Sequence, residues 1–522
     1  MSGRAVNPEI ALIVEPLKDQ HVLILGLGAS GLAMARWCVR CGAQVTVADT
    51  RSAPPQLAAL QREEASVTFV SGPLEAGLLD DQRVAAVYCS PGLSPVETAM
   101  IVGAANARQI RVAGELHLFS KALDGLRDAR GYRPKVLAVT GTNGKTTVTS
   151  LTAALLGRCG VTVAAAGNIG PTLLDSLMAR LAAGTLPEVW VLELSSFQLH
   201  GQKAFEPDVA AVLNITQDHL DWHATMADYV AAKSNIFGRR ALLVVNRDDA
   251  IVMSMLDAAA GPAKPGKLTQ SVRRDHVSFG YGPPQRAGDF GMEEAGAMAW
   301  LVRALPRDSM LKRRRARPQE LHIQRLMPVD ALSIRGRHNA GNALAALALA
   351  CAAGASLAPM LYALQSYRGE PHRMQSIGSV GAVEFFDDSK GTNVGATVAA
   401  LNGLGAERML VAILGGQGKG QDFTALAQPV ARHVRAVVLI GQDANEIRTA
   451  LSDTGAPLIE ADTMASAVGL AYEQAGPGDA VLMSPACASF DMFDNYEHRA
   501  RVFCDAVREL AAAHNLELEG AT

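Results

Sequence analysis

Short apolar runs alternate with alanine- and leucine-rich stretches along this whole sequence, and no other feature limits its fold so tightly. The runs HVLILGLG (21–28), QVTVADT (44–50), KVLAVTG (135–141), EVWVLEL (188–194), VAAVLN (209–214), ALLVVN (241–246), AVEFFDD (382–388), MLVAILGG (409–416), RAVVLIG (435–441) and AVLMSP (480–485) are the predicted strands. Many are apolar at consecutive positions, as strands covered on both faces are. Strand–helix repetition of this kind predicts an α/β protein with mostly parallel sheets. A chain of 522 residues exceeds a single core and predicts two to four domains. Breaks in the pattern place three, over 1–112, 113–368 and 369–522, with a linker helix near 113–134 and a Gly/Pro break, RGEPHR, at 368–373. Between about 282 and 330 the rhythm is lost, which predicts an insertion of solvated loop carrying the basic cluster KRRRAR at 312–317.

Two glycine loops follow predicted strands. GLGASG at 26–31 opens a helix, and Asp49 ends the next strand. That spacing fits a Rossmann fingerprint, in which glycines let backbone approach a diphosphate at a helix N-terminus. Nothing in it demands nicotinamide, since a UDP-sugar offers the same diphosphate and ribose. The second loop, GTNGKTT at 141–147, ends like a P-loop, although Val139 stands where the full pattern has its first glycine. A strand before it and a helical run after it supply the context of an ATP site. Backbone N–H groups from Gly141 through Thr142, Asn143 and Gly144 to Lys145 are expected to wrap phosphate. Lys145 would reach the outer phosphates, and the Thr146 hydroxyl, with Thr147 beside it, would hold Mg²⁺.

Candidate metal ligands follow two further strands. Glu193 ends one; Asp218, His219, Asp221 and His223 follow another. His219 and His223 stand four apart, as zinc-binding histidines on a helix do. The glutamate of H-E-x-x-H is missing, Leu220 being in its place, and the segment reads as a loop, so Mg²⁺ is the better metal. Cys38 and Cys41 form a C-x-x-C at the far end of a predicted helix, where the dipole does not favour a thiolate, and are taken as structural. Seven cysteines in so long a chain are no disulfide framework. Net charge of −3 argues against a nucleic-acid surface, and no apolar run approaches the roughly 18 residues of a membrane span. With no secretory signal at the start, the sequence predicts a cytoplasmic protein without stable membrane insertion.

The runs GTNGKTT, GNIG (167–170), ELSSFQL (193–199), LNITQDHLDWH (213–223), RHNAGNALAALALA (337–350), PHR (371–373), DDSKGTN (387–393), GGQGKG (415–420) and SPACASFDMFDNYEHR (484–499) resemble, in this order, the Mur ligases. These are ATP-dependent amino-acid-adding enzymes of peptidoglycan synthesis. The resemblance covers all three domains apart from 282–330. It implies a Rossmann-like N-terminal domain binding a UDP substrate, a central P-loop ATPase-type domain and a C-terminal Rossmann-like domain binding the amino acid. The N- and C-terminal motifs point to the D-glutamate-adding reaction. ATP would phosphorylate the carboxylate of UDP-N-acetylmuramoyl-L-alanine, and the amine of D-glutamate would displace phosphate.

Carried over by residue, the resemblance implies Thr146 and Glu193 at a first Mg²⁺ and His219 at a second, with Lys233 carbamylated to support the metal. Read alone, Lys233 is an ordinary lysine on a helix surface. Asn339, Asn342 and Asp388 would contact adenosine, and Arg373 the phosphates. Ala29, Ser30, Asp49, Thr50, Arg51 and Gly92 would hold UDP, with Asn168 toward the muramoyl end. Thr392, Lys419, Ser489 and Tyr496 would receive D-glutamate, although some relatives have Phe where Tyr496 stands; Lys390 has no assigned role. The expected protein is a monomer. Alternatives are another Mur-type ligase, such as an L-alanine-adding one, a nicotinamide oxidoreductase using GLGASG, and a P-loop switch protein. The oxidoreductase leaves the GKTT loop and HLDWH without purpose, and the switch protein predicts slow ATP turnover that ignores added UDP-sugar and amino acid.

Overall fold

The computed structural model describes residues 17–80, 83–259, 274–296, 298–306 and 321–520. Its first sheet holds five parallel strands: β1 (His21–Leu25), β2 (Gln44–Asp49), β3 (Thr68–Ser71), β4 (Val84–Cys89) and β5 (Arg111–Ala113), in the order β3-β2-β1-β4-β5. Strand order reverses between β1 and β4, so the loops at their C-terminal ends part and leave a crevice. Helix Ala29–Arg40 lies close on β1 because residue 31 is glycine. A Cβ there would stand 2.0 Å from the Gly26 carbonyl oxygen.

The second sheet is also parallel: β6 (Lys135–Thr140), β7 (Val163–Gly167), β8 (Val189–Glu193), β9 (Val209–Val212), β10 (Leu242–Asn246) and β11 (His276–Phe279), in the order β11-β10-β9-β6-β8-β7. β8 and β9 are buried at every position, which is why their sequences do not alternate. Since β8, β6 and β9 are neighbours, the loops that leave them share one edge.

The stretch 282–330 departs from expectation. It contains a three-stranded antiparallel sheet, β12 (Phe290–Ala295), β13 (Met298–Pro306) and β14 (Leu321–Pro328). Phe290, Met292, Leu301 and Met327 turn into the core beneath helix Arg337–Ala352. Interruption by polar and glycine-rich sequence hid these strands. The basic cluster at 312–317 lies outside the described residues.

The fourth sheet runs β15-β16-β20-β17-β18-β19, with β15 (Gln375–Val380) antiparallel and β16 (Val383–Asp387), β17 (Leu410–Gly415), β18 (Val434–Ile440), β19 (Leu458–Glu460) and β20 (Ala480–Met483) parallel. The central β16, β20 and β17 send DDSKGTN, SPACASF and GGQGKG from the same edge.

The sheets are joined unequally. One apolar core runs from Val22 and Ile24 of the first sheet through Leu116 and Phe119 to Trp190 and Leu192 of the second. Phe119 meets Trp190 edge-on, with ring centroids 5.2 Å apart. Arg36 adds ion pairs to Glu63 at 2.6 Å and Asp175 at 3.0 Å. The fourth sheet has cores of its own, built from residues 374–518, and meets the second where helix Val394–Gly405 packs on helix Arg337–Ala352 and through hydrogen bonds such as Arg373 to Thr146. Cys38 and Cys41 are free and buried, the Cys38 thiol pushed up to about 12 by burial, as a structural pair would be. Among the described residues no helix is long and apolar enough to cross a membrane.

Candidate active site

Thr140 ends β6, and the chain turns through Gly141 (φ +157°) and Gly144 (φ +81°) into helix Lys145–Arg158. Residue 144 must be glycine, because a Cβ would stand 2.5 Å from Asn342 Oδ1. The phosphate cradle is narrower than the sequence suggested. The Thr142 N–H donates to the Asn214 carbonyl and the Asn143 N–H to Asn214 Oδ1, both at 2.8 Å, while Asn214 Nδ2 donates back to the Asn143 carbonyl at 3.0 Å. Asn214 therefore fixes the loop's shape. Anion-binding groups are left at the first turn of the helix, whose N–H groups have no carbonyl partners within the helix.

Four basic side chains crowd this turn. Lys145 Nζ folds back to donate to the carbonyls of Gly141 (3.0 Å) and Thr142 (2.7 Å). Lys233, on helix Met226–Ser234, is only 1% exposed, not the surface lysine its sequence context suggested. Its Nζ reaches the Gly141 carbonyl at 2.8 Å and lies 4.7 Å from the centre of the Tyr229 ring. Burial, followed by the charge on Lys145, holds its pKa well below the usual lysine value. Burial, with Arg373 nearby, likewise brings Lys390 down to about 8; its Nζ sits 3.6 Å over the Tyr496 ring. Arg373 donates to Thr146 Oγ1 at 2.6 Å. The hydroxyl expected to hold a metal thus touches a cation, and a guanidinium and Mg²⁺ cannot share that contact. Metal binding requires Arg373 to move off Thr146.

Two carboxylates face these bases. Glu193, 2% exposed at the end of β8, accepts from Asn168 Nδ2 at 3.0 Å. Asp218, a candidate ligand from sequence to which the family resemblance gave no role, accepts from the His219 N–H at 3.0 Å and from Asn393 Nδ2 at 3.1 Å. His219 starts the short helix Leu220–His223 at φ +55°, where a plain loop was expected, with its Nε2 3.6 Å from Asp218 Oδ2. Burial lowers its pKa and favours the neutral imidazole that a metal needs. His223 is buried, with its Nε2 bonded to Ser196 Oγ at 2.8 Å, so the two histidines do not form a zinc pair. Among the described residues, no three His, Cys, Asp or Glu side chains converge on a point that could hold a metal. A hydroxyl, carboxylates and one imidazole beside a phosphate loop suit Mg²⁺, which completes its shell with phosphate oxygens and water.

Between the second and fourth sheets lies a cavity of about 240 Å³ lined by Asn143, Gly144, Thr147, Asn339, Asn342, Arg373 and Asp388, all singled out from sequence. Tyr281 and His338 also line it and were not. Asn342 Nδ2 donates to Asn339 Oδ1 at 3.0 Å, and Asn339 Nδ2 to the Arg335 carbonyl at 2.8 Å. Asp388 is buried, with a pKa raised to about 7 by desolvation, and its oxygens accept from Ser484 Oγ and the Met374 N–H. It braces the wall more than it reaches into the space.

In the first crevice, Ala29 and Ser30 open the helix after β1, and Ser30 Oγ donates to Glu115 at 2.7 Å. Asp49 does not point to a free ribose site. Both its oxygens are bonded, to the Leu27 N–H at 2.7 Å and to Arg51 at 2.8 Å, and Arg51 holds its pKa down near 2. Thr50, Arg51 and Gly92 are exposed, with open space beside Gly92. Next to them a cavity of about 280 Å³ spans from residues 90–93 to Phe197, His200 and Trp222. Phe197 in turn contacts His219, ring centroids 4.7 Å apart, so the crevice leads toward the phosphate loop.

The residues expected at the amino acid fall on the three fourth-sheet loops and the next helix. Thr392 follows β16; Lys419, exposed at φ +55°, follows β17; buried Ser489 follows β20. The last two loops are stitched by paired backbone bonds between Gln417 and Ala488. Tyr496 opens helix Tyr496–Ala513 and donates its hydroxyl to Glu497 at 2.8 Å.

A phosphate loop on the second sheet facing the fourth sheet across a polar cavity, with a crevice leading toward it from the first sheet, has counterparts among known proteins. Family models match residues 20–114 (Mur ligase MurD-like, N-terminal domain), 139–282 (Mur ligase middle domain) and 372–487 (Mur ligase, glutamate ligase domain). The UDP-N-acetylmuramoylalanine–D-glutamate ligase of Albidiferax ferrireducens is 65% identical over 505 residues, 97% of this chain and 99% of that one. The protein of the same name from Burkholderia vietnamiensis is 54% identical, covering 94% of this chain and 97% of its own. Two solved structures from Thermotoga maritima share the fold. They are UDP-N-acetylmuramate–alanine ligase (TM-score 0.53, 19% identity, 94% of this chain and 99% of that one) and MurF ligase in complex with ADP (0.56, 15%, 96% and 97%). The chain belongs to the Mur ligase family.

Proposed function

We propose that this protein joins D-glutamate to the alanine carboxyl of UDP-N-acetylmuramoyl-L-alanine, converting ATP to ADP and phosphate. The observation that carries the reading is the gathering of Lys145, Lys390 and Arg373 at the turn after Gly141, beside Glu193 and Asp218. An excess of positive charge suits a polyphosphate and the charge that spreads over a phosphoryl group in transfer. A carboxylate is a poor acyl donor; as an acyl phosphate it is attacked by an amine, and phosphate departs with the C–O bond.

The chain's own groups divide this work. The first turn of helix Lys145–Arg158 and Lys145 bind the outer phosphates, and Arg373 leaves Thr146 for them. Asn339 and Asn342 receive the adenine side. The first crevice, from Ala29 and Ser30 to Thr50, Arg51 and Gly92, takes UDP, and Asn168 orients the muramoyl end beside Glu193. Lys390, Thr392, Lys419, Ser489 and Tyr496 receive the two carboxylates of D-glutamate, a pocket that calls for cations and hydroxyls. Mg²⁺ at two sites, held by Thr146, Glu193 and His219, supplies neutralisation of the phosphate charge. Lys233, kept neutral by burial, adds to CO₂ through its amine with loss of a proton, giving a carbamate that brings an anionic oxygen donor to the same place. Domains over 1–112, 113–368 and 369–522 divide the three substrates, and a cytoplasmic monomer suffices because one chain builds every cavity.

The test is ADP release across UDP-muramoyl acceptors and L- and D-amino acids, with ¹⁸O in the acceptor carboxyl. Turnover should need UDP-N-acetylmuramoyl-L-alanine and D-glutamate together and move one ¹⁸O into phosphate. Efficient turnover with L-alanine and UDP-N-acetylmuramate, or no label in phosphate, would refute the reading.

A further inference from the structure

The amide of Asn393 joins the fourth sheet to the phosphate loop. Its Oδ1 accepts from the Ala396 N–H at 2.9 Å, capping helix Val394–Gly405, and from Asn143 Nδ2 at 3.1 Å. Its Nδ2 donates to Asn143 Oδ1 and to Asp218 Oδ2, each at 3.1 Å. Both N–H donors and both acceptor positions of the side chain are therefore used, at a residue only 5% exposed. Asn143 belongs to the phosphate loop, Asp218 adjoins His219, and Thr392 precedes Asn393 in the chain. Gly395 makes the approach possible. A Cβ there would stand 2.7 Å from Thr216 Oγ1, 3.2 Å from Thr216 Cβ and 3.3 Å from Asn143 Nδ2. The Thr216 backbone, and with it Cβ, is held in place, since Thr142 Oγ1 bonds both its N–H (2.9 Å) and its carbonyl (3.1 Å).

We infer that Asn393 is a positioning residue, and that its paired amide with Asn143 sets the phosphate loop in register with the amino-acid-binding sheet. The inference rests on the ATP reading of the loop. The fourth sheet has its own apolar cores and meets the second where helix Val394–Gly405 packs on helix Arg337–Ala352; at the N-terminal end of that packing this pairing, with Gly395 against Thr216, helps fix one unit upon the other. The loop and Thr392 are thereby placed by one side chain, and the two half-reactions are held in one geometry.

Two substitutions separate positioning from folding. Asn393→Asp keeps the helix cap, since aspartate accepts at that position as well as asparagine, but loses both N–H donors and sets a carboxylate beside Asp218. Gly395→Ala favours the helix and obstructs only the docking. Gly395→Ala should melt near the wild-type temperature, Asn393→Asp somewhat below it for the buried carboxylate pair, and both should keep the KM for the UDP acceptor, proposed to bind on the first sheet. Their kcat should fall about 10- to 100-fold, the range for losing bonds to a charged group, with KM for ATP and D-glutamate raised. Small-angle scattering of ligand-free Gly395→Ala should show a larger radius of gyration than wild type. Wild-type turnover in both variants, or a Gly395→Ala protein as compact as wild type, would overturn the inference. If wild type itself released no ADP from these substrates, the functional reading would fall and scattering alone would decide the docking.

Discussion

Lys145 and Lys233 donate to the same oxygen: the Gly141 carbonyl lies 3.0 Å from one Nζ and 2.8 Å from the other. Two ammonium groups on one carbonyl repel, and the more buried Lys233 is the one whose proton is easily lost. Lys233→Ala should therefore remove most activity, and Lys145→Ala should let Lys233 regain its proton. The wild type should show a carbamate resonance with ¹³C-bicarbonate that both variants lack. Full turnover by Lys233→Ala at low bicarbonate would refute this role.

The same lysine sets a pH dependence of stability. Its folded pKa lies below the ordinary value near 10.4, so the unfolded chain binds the extra proton between the two. Burying it costs most below the folded pKa, and the cost fades as pH rises toward the unfolded value. Lys233→Met should melt higher than wild type at pH 7, with the gap narrowing by pH 9.5.

His372 works in the opposite sense. Its Nδ1 donates to buried Asp387 at 2.7 Å, and this hydrogen bond raises its pKa. The contribution is complete below the ordinary value near 6.5 and is lost as pH climbs through the raised one. His372→Gln should lower the melting temperature more at pH 6 than at pH 8.5; equal losses at both would show that the ion pair contributes nothing.

Arg373 occupies the Thr146 hydroxyl and must leave it for nucleotide. Arg373→Ala should lower kcat by about 10²-fold, the scale of losing one preorganised donor to developing charge. It should also leave Mg²⁺ dependence intact. EDTA should abolish activity in both proteins, with Mg²⁺ restoring it and Zn²⁺ failing to, because His223 is engaged with Ser196.

Gly31→Ala forces a Cβ against backbone that cannot yield. We expect a loss of about 1–3 kcal/mol, as overpacking typically costs. Affinity for the UDP acceptor should fall with it, and calorimetry with titration of the acceptor checks both.

The sheets were legible because buried parallel strands write themselves as unbroken apolar runs, and the motif loops because each follows such a run. That holds for ten strands; β3, β4, β5, β7, β11, β15 and β19 were not among the predicted runs, nor were β12 to β14, whose antiparallel segments are divided by polar and glycine-rich sequence. Within the site, the residues that the structure gathers around the phosphate loop and the polar cavity beside it, such as Lys145, Glu193, Asn339, Asn342 and Arg373, were named in advance. Missed were those that shape them: Asn214 and Asn393 act by bonding back to the loop, and only three-dimensional proximity reveals that. Asp49 and Asp388 had the opposite fate, standing where expected with their oxygens already engaged.

The polar cavity proposed for nucleotide has one wall on each of two units with separate cores. By thermodynamic reciprocity, whatever holds those walls apart must weaken ATP by the same factor by which ATP draws them together. A small molecule lodged at the seam near Gly395 would thus compete with nucleotide without resembling one.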